Sequence, residues 1–97
     1  MSRITEIQKR VKLDDLLTGL AEEASELAKA ALKYRRALYG TNPTPISEDD
    51  AYENLCEEIA DVFLYVEALR INTVHVSRIE DEKAARWISR LTGGAVR

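Results

Sequence analysis

Cysteine is almost missing from this chain. Among 97 residues only Cys56 carries a thiol, so no internal disulfide can form, and that usage suits a reducing compartment. Long apolar runs are missing as well. None approaches the roughly 20 residues that a membrane-crossing helix needs. The stretch "MSRITEIQKRVKLDD" is charged throughout and has no signal-peptide core. These two features predict a cytoplasmic protein that does not engage a membrane. A basic excess is also lacking: the net charge is −3, which leaves no electrostatic footprint for nucleic acid. The length predicts a single domain over 1–97, with a core over about 13–91, and a chain of this size buries only roughly 60–68 % of its unfolded surface.

Helix breakers are few, and their placement punctuates the chain. Leu13, Leu17, Leu20, Ala24, Leu27, Ala31, Tyr34 and Leu38 recur at steps of four and three, the spacing of a helix-packing stripe. Ile4, Ile7 and Val11 continue the pattern weakly upstream, as a short leading helix or as extra turns of the same one. Gly40 is expected to end the helix in a left-handed conformation. The donor-poor "TNPTPIS" then forces a loop over 39–47. Ser47, followed three residues later by Asp50, reads as a capping-box variant that restarts helix. Leu55, Ile59, Val62, Val66 and Leu69 make the second stripe. The β-branched "INTVHVS" predicts a break over 71–77, and a last helix is expected from about Arg78 to Leu91, with Trp87 as a core residue. Gly93 and Gly94 stop it, leaving a flexible tail over 93–97. No segment reads as a strand, so the fold class is all-α, a bundle of three to four helices.

Acidic residues cluster twice in one pattern, in "GLAEEASELAKA" and in "ENLCEEIADVF". With about 100° of rotation per residue, Glu23 and Glu26 fall roughly 70° and 130° from the first apolar stripe. Glu58 and Asp61 fall roughly 60° and 120° from the second, on the matching side. Two packed helices can therefore gather four carboxylates at one border. Such a group repels itself unless a cation neutralises it, and oxygen-only ligands suit Mg²⁺, with Mn²⁺ as a substitute. Gly19, four residues before Glu23 on that flank, suggests space kept for a ligand. The plainer reading of clustered glutamates is a solvated helix face.

The pair "EEASE" at 22–26 and "EEIAD" at 57–61 resembles the EExxE…ExxD signature of the MazG-like all-α nucleoside triphosphate pyrophosphohydrolases. The similarity runs from about Leu13 to Leu91. The spacer is a little long for the family, and "YGTNPTPIS" absorbs the excess. The resemblance implies hydrolysis of a nucleoside triphosphate between its α- and β-phosphates, with Glu23, Glu26, Glu58 and Asp61 binding Mg²⁺. Glu22 belongs to the same signature, as a group supporting the ligands or as a water-activating base.

Further residues have two readings each. Tyr65, four after Asp61, offers a hydroxyl to phosphate or packs half-buried at the bundle edge. Lys83, Arg86 and Arg90 form one basic stripe, facing triphosphate or simply solvent. Trp87 stands where many family members carry asparagine, which leaves base recognition open. Asn54, one turn before Glu58, is a candidate substrate contact, whereas lone His75 reads as a surface residue. Lys29, Lys33, Arg35 and Arg36 complement the helix end and pair with Glu22 and Glu26. A ferritin-like di-iron bundle needs Glu-x-x-His pairs, which neither acid cluster has. Two alternatives stand: a non-enzymatic helical assembly module, and a phosphoribosyl-nucleotide pyrophosphohydrolase. Two long amphipathic helices and a short one expose more apolar surface than one chain covers, so a homodimer or homotetramer is expected.

Overall fold

The computed structural model describes residues 2–40 and 46–94, and these are all-helical, with no strand among them. Four helices follow in order: α1 Arg3–Arg10, α2 Leu13–Tyr39, α3 Glu48–Ala68 and α4 Thr73–Leu91. The prolines at 43 and 45, and residues 95–97 of the tail expected over 93–97, lie outside the described residues.

Each helix start has a local cause. Ser2 Oγ accepts the Thr5 N–H at 3.1 Å and opens α1. Ser47 Oγ accepts the Asp50 N–H at 3.1 Å and opens α3, a cap worth about 1 kcal/mol. The leading segment is a separate helix: Val11 closes α1 in an extended conformation, and Lys12 begins α2 without a side-chain cap. Gly40 ends α2 with φ −70°, an extended rather than left-handed backbone, so its role is not the one expected.

Of the expected break over 71–77, residues 73–77 are helix instead. Asn72 Oδ1 accepts the His75 N–H at 3.0 Å, so α4 begins at Thr73 despite its β-branched first turn. Propensity differences of a few tenths of a kcal/mol per residue yield to a good cap. What interrupts the chain is the turn before it, where Arg70 takes φ 59°, the left-handed conformation. At the far end of α4 the Gly94 N–H donates to Ser89 O at 2.9 Å and the Gly93 N–H to Arg90 O at 3.2 Å, a Schellman closure with Gly93 at φ 73°.

α2 and α3 form an antiparallel hairpin, and α1 folds back onto the end of α3. Gln8 Nε2 secures that return by donating to Ala68 O at 3.2 Å. Apart from Leu16, the buried residues of α2 and α3 are small: Gly19, Ala30, Ala51 and Ala68. At Gly19 the approach is closest, because a Cβ there would lie 2.6 Å from the Tyr65 hydroxyl oxygen. The glycine therefore makes room for Tyr65, not for a ligand. Farther along the seam the rings of Tyr34 and Tyr52 meet at 5.7 Å between centroids.

The seam is rotated relative to the stripe expected for α2. Leu16 and Ala30 are buried, whereas Leu17, Ala24 and Ala31 are exposed. α4 packs on none of the other three helices, and Trp87, expected in the core, is 62 % exposed. The radius of gyration is 17.4 Å, against about 12.5 Å for a compact chain of this length.

The Gly19–Tyr65 contact is testable by a double-mutant cycle in chemical denaturation. Gly19→Ala alone should destabilise by about 1–3 kcal/mol, the usual cost of overpacking. With Tyr65→Ala already in place, the same change should stabilise by about 0.5–1 kcal/mol, because alanine is the better helix former.

Candidate metal centre

Three carboxylates converge midway along the hairpin. Glu23 from α2 and Glu58 and Asp61 from α3 each offer an oxygen, and these atoms all lie within 4.8 Å of one another. Antiparallel pairing brings them together: the register that sets Gly19 beneath Tyr65 places Glu23 opposite the Glu58 turn. Both glutamates are half-buried.

The arrangement is electrostatically uncompensated. Glu58 Oε2 is buried and accepts no hydrogen bond from the described residues. The Glu23 carboxyl is pushed above the usual glutamate value by burial, then by the charges of Asp61 and Glu58. A hydrogen bond with Asp61 and the charge of Glu26 push the same way. A buried carboxylate oxygen without a donor is costly, and a cation is one way to satisfy it.

Of the four expected metal ligands, three are brought together and the fourth stands aside. Glu26 is exposed and pairs with Lys29, Nζ lying 3.3 Å from Oε1, an ion pair the sequence had suggested. Together Glu22, Glu23, Ser25 and Glu26 line a shallow polar depression on α2. Glu22 points there, exposed, beside the converging trio and not within it. Asn54 is half-buried one turn before Glu58. Tyr65 covers Gly19 and also lines a small apolar recess with Ile7, Val11 and Leu16. That ring contact had no sequence signal, since it depends on the interhelical register.

Lys83, Arg86 and Arg90 do share one face, as their spacing predicts. With Val76, Ile79 and Trp87 they line an open groove along α4. Within one chain this face does not reach the acidic trio, because α4 does not pack on the hairpin. His75 is exposed, and its backbone serves the Asn72 cap.

The donor set fits a hard divalent cation. All three groups are carboxylate oxygens, two of them half-buried, with one oxygen unsatisfied. Mg²⁺ binds at 2.0–2.1 Å, so ligands across the ion stand about 4.2 Å apart, and a small side-chain adjustment meets that limit. Comparison of the chain with protein-family models, with curated proteins and with solved structures finds no match.

The raised Glu23 value sets a pH dependence. Folding favours its protonated form, so the stability linked to this group is full below the ordinary value of 4.5 and declines as pH rises through the folded value. In metal-free buffer at pH 7, Glu23→Gln should therefore raise the melting temperature and flatten its dependence on pH above 4.5. A lower melting temperature for the variant would show that the charge at Glu23 is compensated.

Proposed function

We propose that this protein is a Mg²⁺-dependent nucleoside triphosphate pyrophosphohydrolase that cleaves the α–β phosphoanhydride, releasing nucleoside monophosphate and pyrophosphate. The observation that carries the reading is the convergence of Glu23, Glu58 and Asp61 on one point of the seam. The reading also draws on the resemblance of "EEASE" and "EEIAD" to the MazG-like signature, at the same residues.

In this reading Glu23, Glu58 and Asp61 would hold the ion, and Glu26, on leaving Lys29, would join them. The bound ion would neutralise charge on the phosphate oxygens as the anhydride breaks. Glu58 and Glu23, half-buried on the hairpin, would set where that ion, and hence the triphosphate, stands relative to the attacking water. Glu22, exposed on α2 next to Glu23 in the chain, would take the proton from that water as it adds to the α-phosphorus and pyrophosphate leaves. Asn54 borders the trio and Tyr65 stands a turn beyond Asp61, as polar contacts for substrate. Lys83, Arg86 and Arg90 would complete the anion site in an assembled homodimer or homotetramer.

The exposure of α4 also suits a module whose task is assembly, and one experiment separates the two readings. Adding Mg²⁺ or Mn²⁺ should raise the melting temperature of the parent protein, and Glu58→Gln should abolish the rise. On a panel of ribo- and deoxyribonucleoside triphosphates the parent should release pyrophosphate. Glu58→Gln should lose about 100-fold or more, as expected when several kcal/mol of metal-mediated charge stabilisation is removed. No thermal shift and no pyrophosphate would leave assembly as the function. Orthophosphate as the product would overturn the site of cleavage.

A further inference from the structure

Trp87 is the only tryptophan in the chain, and its indole lies largely open to solvent. With about 100° per residue, Glu80 and Ala84 fall roughly 20° and 60° to one side of it around α4. Lys83 and Arg90 fall roughly 40° and 60° to the other side. All five line the open groove of about 760 Å³ along that helix. The groove thus has an aromatic centre, a cationic flank, and an opposite flank that carries one carboxylate. Glu80 and Trp87 make no hydrogen bond or ion pair among the described residues, so folding alone gives neither a polar partner.

An exposed indole offers a π-face on which any base stacks, and stacking does not choose between bases. Choice falls to the polar group beside it. Helical side chains lean toward the N-terminus, so Trp87 leans over the turn of Ala84 and toward Glu80, two turns earlier and about 10 Å along the axis. The methyl of Ala84 keeps that turn low, a floor for a flat ring. A carboxylate offers acceptors only. Guanine presents two adjacent N–H donors on its Watson–Crick edge, at N1 and at the 2-amino group, and so satisfies both carboxylate oxygens. Adenine and cytosine offer one amino group beside an acceptor nitrogen, and uracil one N–H between two carbonyls. Each of these sets a lone pair against Glu80.

We propose that Trp87 and Glu80 are a base-recognition pair: the indole stacks on guanine while the carboxylate accepts from N1–H and the 2-amino group, which makes the preferred substrate a guanosine or deoxyguanosine triphosphate. Lys83 and Arg90, on the opposite flank, meet the phosphates. Trp87 supplies affinity and Glu80 supplies specificity. The inference rests on the hydrolase reading only in taking the nucleotide as substrate; the binding itself is measurable without turnover.

With Mg²⁺ present, the protein is titrated with the α,β-methylene triphosphates of guanosine, inosine, adenosine, cytidine and uridine while Trp87 fluorescence is followed. The guanosine analogue should quench saturably and bind about 10-fold or more tighter than the other four, the discrimination expected of a bidentate contact. Inosine is the decisive comparison, because it lacks only the 2-amino group. Glu80→Gln should bring the guanosine analogue down to the inosine value. The same variant should bind the adenosine analogue no more weakly, since a negative charge near the phosphates is removed. By calorimetry, Trp87→Ala should weaken every nucleotide analogue about 10-fold or more, and inorganic triphosphate far less. Equal affinity for all five analogues, a guanosine preference that survives Glu80→Gln, or Trp87 emission indifferent to every analogue would overturn the pair. Pyrophosphate release without base preference would overturn this inference and leave the hydrolase reading standing. Guanosine-selective binding without pyrophosphate release would keep the pair and remove the hydrolase.

Discussion

Two glutamates, Glu23 and Glu58, lie on the packed seam between the two longest helices, where a bundle of this kind would ordinarily place leucine. Their half-burial removes water from charges that make no ion pair among the described residues, and Asp61 adds a third charge within the same few ångströms. Repulsion at that spacing opposes the packing that holds α2 against α3. The hairpin is thus built around an electrostatic conflict that a divalent cation would resolve. The upward displacement of the Glu23 carboxyl and the unsatisfied Glu58 Oε2 are two expressions of that conflict.

The small residues of the seam belong to the same design. Alanines at 30, 51 and 68 and glycine at 19 let the helix backbones approach closely, which shortens the reach from one helix's carboxylates to the other's. Tyr65 fills the space above Gly19 and pins the register one turn from Asp61. The fold secures its first helix by a side-chain bond, Gln8 to the end of α3, and leaves its last helix free of the body. A core of Leu16 and a few alanines is slight for a domain this long.

Helix number, the cap at Ser47 and the two acid clusters are local properties. They depend on residues three or four apart, and for that reason most of the architecture was legible in the sequence. Asn72 shows the limit even there: a run rich in β-branched residues read as a break, yet one well-placed amide oxygen carried the helix through it. The orientation of α2 was less legible. Leu17, Ala24 and Ala31 sit beside Leu16, Leu20 and Ala30 on neighbouring flanks, so apolar spacing alone admits two phases, and the exposed flank was mistaken for part of the seam.

By itself, then, the sequence determined that the chain is helical, where the α2–α3 connection falls, and which acidic residues stand one turn apart on each helix. Only the tertiary structure decided that Glu23, Glu58 and Asp61 meet while Glu26 turns to Lys29, that Gly19 serves Tyr65, and that Trp87 and the basic stripe stand away from the hairpin. The division has a physical reason. Spacing along one helix follows from backbone geometry, but rotation and register between helices are settled by how side chains from distant parts of the chain fit together.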